Sequence, residues 1–298
     1  MAELGPGPYL VILGVPTAVG SIVTTMSTSP HTFGGPDADV ILRAPLQPGS
    51  DEFEDFHVHK LILSIASRIF QDTFSIPRPP RRTSEDTALD VVNVEETAKV
   101  LGTFLQLIYP VQPPVFDDLQ LVDDLFRVTD KYGVDGVYAK LTKILVSPSF
   151  LKGDPIGVYA IACRNNLDEE TKLAVSHTFS INVVSNTSER NLQAMTAKTY
   201  HRLLAEHAHR REQLIDAVNA AQRSWDLASV CCCGRGEKFM KEICLELSKR
   251  PFLDRETLEG CISPYMQGSA CRASSGCTLN FGAGSRFMSA IIQKIQKI

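Results

Sequence analysis

Cysteine is almost missing from the first three quarters of the chain. Of eight cysteines only Cys163 precedes Cys231, and the other seven (Cys231, Cys232, Cys233, Cys244, Cys261, Cys271, Cys277) crowd the last quarter. A secreted disulfide scaffold is short and cysteine-dense along its whole length, so this spacing predicts reduced thiols and a cytoplasmic or nuclear protein. An excess of positive charge is missing too. Lys and Arg total 30 against 34 Asp and Glu, a net charge of −4, which excludes a bulk cationic nucleic-acid binder though not a local basic patch. No apolar run is long and unbroken. The most apolar stretch, Tyr9 to Met26, is interrupted by Gly14, Pro16 and Gly20, and the start Met-Ala-Glu-Leu lacks the basic residues of a secretory signal. The expectation is a poorly ordered segment over 1–34 and no membrane partner. Catalytic patterns are missing as well: no G-x-S-x-G, no Ser/His/Asp order, no phosphate loop between strand and helix. The reading is a non-enzymatic protein with no cofactor and no small-molecule substrate.

What is present is enough apolar sequence, 44% of 298 residues, to build one large or two ordinary domains. Asp39 to Ala44 reads as a partly buried edge strand, and a Pro/Gly turn over 45–50 leads into Phe53 to Val58, which alternates as a second hairpin strand. Lys60 to Phe74 carries Leu61, Ile62, Ile65, Ile69 and Phe70, a wide stripe predicting one helix packed on a sheet. A Pro-rich polar loop over 76–87 precedes a third strand, Leu89 to Val94. Glu95 to Tyr109 is predicted helical, with its two acids in the first turn and Val100, Leu101, Phe104, Leu105 and Ile108 as the buried face. Two further helices, 117–132 and 134–146, meet at Gly133, a natural helix cap. From Pro155 onward strands fade. Helices are predicted over 156–165, 169–182, 188–225, 240–247 and 287–298, with a Gly/Ser/Cys-rich loop near 260–284. The fold class is therefore α+β over about 35–148 followed by an all-α region over 150–298.

Several pieces of the first segment are specific. They are Ala38-Asp39-Val40-Ile41-Leu42, Phe56-His57-Val58-His59-Lys60 with Leu61, Ile62 and Leu63, then Ser67 and Phe70 in the next helix, Phe104 to Tyr109, and Val128-Thr129-Asp130-Lys131-Tyr132-Gly133-Val134. In that order they resemble the BTB/POZ domain over about residues 37–147. Ile156 to Phe179 resembles the helical extension that follows this domain in many fungal members. The resemblance implies an interaction module that self-associates, commonly as a homodimer, and recruits partners as a scaffold or transcription-related co-factor. It also raises a second role, substrate adaptor of a cullin-3 ubiquitin ligase. Cullin-binding members usually show an apolar-x-Glu element, and the matching stretch here, Phe74-Ser75-Ile76-Pro77-Arg78, has no acid. Phe70, Phe74 and Ile76 are the residues expected to meet a partner. No kelch repeat or zinc-finger spacing follows.

Other constellations read as structural. His57 and His59 share a strand face, but too few ligands join them for a metal, and the resemblance makes His59 a packing residue. Cys231-Cys232-Cys233 with Cys271 and Cys277 would be a third alternative, a zinc-stabilised binder of acidic partners, though the spacing departs from tight zinc sites. His201, His207, His209, Arg210 and Arg211 read as a solvated basic helix face. Arg81-Arg82-Thr83-Ser84-Glu85-Asp86 offers a loop that phosphorylation would reorganise. The apolar stripe of Phe287, Ile291, Ile295 and Ile298 is expected to dock on the chain's own helical region.

Overall fold

The computed structural model describes residues 33–76, 89–223, 235–266, 289–293 and 295. Three strands form one sheet: β1 (Val40–Pro45), β2 (Phe53–Val58) and β3 (Asp90–Asn93), in the order β2-β1-β3. The β1–β2 hairpin is antiparallel with Val40 opposite Val58 and Leu42 opposite Phe56, and β3 runs parallel to β1 with Leu42 opposite Val92. β1 is thus the central strand, which corrects the edge position expected for it. The reason lies in its inward row: Val40, Leu42 and Ala44 are fully buried. On the other face Arg43 clasps its cross-strand partner Asp55 through two bonds of 2.7 Å, an arrangement suited to opposite charges in register. The segment expected to be poorly ordered contributes Phe33 to the core. Its ring packs edge-on to Tyr109 at 5.3 Å and near Phe56 at 6.2 Å. Residues 1–32 lie outside the described residues.

The single helix that periodicity predicts over 60–74 is two helices, α1 (Lys60–Ala66) and α2 (Arg68–Ser75), with Phe70 in the second as the resemblance implies. Ser67 between them is extended, at φ −143° and ψ 124°. Its hydroxyl accepts from the Phe70 amide at 3.1 Å and donates to the Tyr132 carbonyl at 2.6 Å. Capping and a tertiary bond together outweigh helix continuity at that residue. The next helices are α3 (Ala98–Ile108), α4 (Leu119–Tyr132) and α5 (Asp135–Leu145). Leu101, Phe104 and Leu105 are buried as expected. Glu95 and Glu96, however, precede Thr97, the residue that begins α3, and instead bind Lys131 at 3.1 and 2.7 Å. Gly133 ends α4 in the left-handed conformation, φ 62°, with its amide on the Asp130 carbonyl, as the helix-cap reading required.

The helical half comprises α6 (Pro148–Gly153), α7 (Pro155–Arg164), α8 (Asp168–Thr178), α9 (Val183–Asn186), α10 (Glu189–Ala194), α11 (Ala197–Arg223), α12 (Arg235–Lys249) and α13 (Arg255–Met266). The single run expected over 188–225 is therefore divided between α10 and α11, and Gly260 to Met266 is helix rather than loop. The first apolar core does not stop at 148. It continues from the sheet and α3–α5 through Phe150, Leu151, Ile156, Tyr159, Ile161, Ala174 and Val183 to Leu203. A second core begins on the same helix at Leu214 and takes in Val218, Phe239, Ile243, Leu247, Leu258 and Ile291. α11 thus lends one end to each core. Ile292 and Ile295 pack against the second core, so the described part of the C-terminal stripe docks on the helical region. Among the described residues no helix is long and apolar enough to cross a membrane.

Candidate functional site

α1 and α2 together expose three large apolar side chains. Leu63 and Phe70 point into the core, so the opposite sides of these short helices face outward. Leu61 is 70% exposed, Ile65 79% and Ile69 47%. Leu61 and Ile65 are four apart and so occupy one helix face. The sequence stripe counted all three as buried. The break at Ser67 rotates the two helices independently, and only part of so wide a stripe can reach one sheet. The signal was in the stripe itself, which is broader than a single packed face.

The three residues expected to meet a partner separate. Phe70 is 3% exposed and stacks on Tyr132 at 4.6 Å, so its ring serves the core, which corrects the expectation of direct contact. Phe74 is half-buried and stacks on Phe70 at 5.8 Å. Ile76, at the end of α2, is 65% exposed. The stack Tyr132–Phe70–Phe74 carries core rigidity out to this surface. Pro77 and Arg78 lie outside the described residues, as do Arg81 to Asp86.

His59 is a packing residue. Its backbone N–H donates to the Tyr109 hydroxyl at 2.9 Å, and its ring lies 3.4 Å from the Asp37 carboxylate. Among the described residues no group of three or more His, Cys, Asp and Glu side chains converges on a metal-sized space. Cys231 to Cys233, Cys271 and Cys277 lie outside the described residues. The basic face on α11 is solvated only in part. His207 is buried, hydrogen-bonded to the Thr178 hydroxyl at 2.8 Å, and burial pulls its pKa down to about 4 with the Arg211 charge adding to the effect. The Arg210 guanidinium lies over the Phe179 ring at 5.5 Å, and Arg211 donates to the Leu247 carbonyl at 2.9 Å. His207, Arg210 and Arg211 join α11 to its neighbours, while His201, Arg202 and His209 stay exposed.

No curated protein matches the chain. Residues 49–149 match the BTB/POZ domain family. The match opens in the β1–β2 turn and closes at the start of α6, while β1, just before it, completes the sheet. The three-stranded sheet with its helices is thus a BTB/POZ domain, a protein–protein interaction module, and a helical region follows it.

Proposed function

We propose that this chain self-associates through the outer face of α1 and α2 and recruits a partner protein, as a non-enzymatic scaffold. The observation that supports this most is the exposure of Leu61, Ile65 and Ile69 on adjoining short helices of an interaction domain. Large apolar side chains grouped on a surface are stabilised by burial against another protein. The helical region, resembling the fungal extension, supplies partner choice by presenting its own surface beyond the domain. The test is mass in solution. Full-length protein is expected to run as a dimer, and the double variant Leu61→Asp, Ile65→Asp as a folded monomer. A monomeric parent, or a variant with unchanged mass, would overturn the reading. A cullin-3 adaptor role rests on the apolar pair Phe74 and Ile76 alone, and co-purification of cullin that is lost in Ile76→Asp would establish it.

A further inference from the structure

A cavity of about 170 Å³ lies between α4, α7 and α10, where the BTB/POZ domain meets the helical region. It is independent of the apolar surface on α1 and α2. Gln120, Asp123 and Arg127 line it from α4, at spacings that put them on one helix face. Gly157 and Arg164 line it from α7, and Arg190 from α10. At Gly157 any Cβ would collide with the Leu119 side chain and the Asp154 carboxylate, so glycine lets α7 approach α4 and form this wall.

The charges in the cavity do not balance. The Asp123 side chain is 6% exposed and paired with Arg127, Nη2 to Oδ2 at 3.0 Å, and with Arg164. Arg127 also reaches Asp124 at the rim, 3.5 Å away. Arg190 makes no hydrogen bond or ion pair to any described residue, so three guanidinium groups face one buried and one rim carboxylate. The amide donors nearby are already engaged: Gln120 with Asp124, Asn191 with Asp154, Gln193 with Glu189. The remaining recognition capacity is guanidinium N–H, and the fork geometry of arginine suits oxyanions. Asp123 holds two of the three arginines in place before any ligand arrives, which lowers the ordering cost of binding. With a water occupying roughly 30 Å³ of liquid, the space accepts one phosphate group with some hydration. A phosphate monoester carries nearly two negative charges at neutral pH, so its oxygens would meet the single positive charge that this count leaves and the N–H groups of Arg190.

We infer that this cavity is a phosphate-binding site, taking either free inorganic phosphate or a phosphate monoester on a partner's side chain. The test is calorimetric titration of the full-length protein with inorganic phosphate and with O-phosphoserine, at ionic strength held constant with sodium chloride. Both are expected to bind, and Arg190→Gln is expected to weaken both by about tenfold or more, the equivalent of one charge-assisted hydrogen bond. Arg190 is exposed, so the variant folds, and circular dichroism checks that it does. Arg127→Gln is the second variant and loses binding likewise. Tighter binding of phosphate assigns the free ion, tighter binding of O-phosphoserine a modified partner, and either upholds the site. Equal affinity in parent and both variants, or no saturable binding above the chloride background, would overturn it.

Discussion

Residue 207 shows how a polar-looking position can belong to the core. Placed between Thr178, Phe179 and the arginines at 210 and 211, the His207 ring stays neutral because charging it inside the seam is unfavourable. Its folded pKa of about 4 lies below the ordinary 6.5, so the unfolded chain takes up a proton that the folded one refuses. Its contribution is therefore complete above pH 6.5, declines as pH falls from 6.5 to 4, and changes no further below that. Urea midpoints at pH 7 and pH 5 are expected to differ more in the parent than in His207→Gln, and equal slopes would refute this. From sequence the ring was illegible, since a His/Arg-rich helix reads as solvated whether or not a neighbour covers it. Gly133 was legible because its left-handed cap is a local requirement. Ser67 was not, because the hydrogen bond that fixes it comes from Tyr132, sixty-five residues on.

Among the elements, α11 has the most consequence. Its 27 residues span about 40 Å at the helical rise, with Leu203 in one core and Leu214, Val218 and Ala221 in the other. Between the two, Ala208 is exposed. Proline there removes a helical hydrogen bond and costs about 3 kcal/mol. Ala208→Pro is expected to split thermal unfolding, followed by helical circular dichroism, into two steps with the second core melting first. A single transition at the parent temperature would show that the helix does not join the cores. Strands and helices themselves were largely legible, down to the bounds of β2, because alternation and apolar spacing are local. Which side of α1 faces outward was not, because it depends on the angle at Ser67 and on where β1 sits in the sheet.

For the molecule as a whole, the boundary that matters is energetic. The family match ends at 149, yet every residue from Pro155 to Ala162 is buried. A helix covered on all sides belongs to the middle of a core. We therefore expect a fragment of residues 33–148 to be insoluble or to bind hydrophobic dye, while 33–211, which keeps the first core whole, remains soluble and cooperative. The opposite order of solubility would contradict the continuous core. Sequence composition suggested a divide at 150 because strands cease there, but a change of secondary-structure type does not mark the end of a core.

The parallel pairing of β1 with β3 also has a consequence in time. Val40 meets Asp90 fifty positions later in the chain. At about 5–20 residues per second of synthesis, one side of β1 waits several seconds on the ribosome for its neighbour to emerge. During that interval the nascent hairpin presents an open strand edge beside Val40 and Leu42, the kind of edge that templates aggregation. The BTB/POZ sheet of this protein is therefore most vulnerable before its own third strand has been made, when chaperone protection matters most.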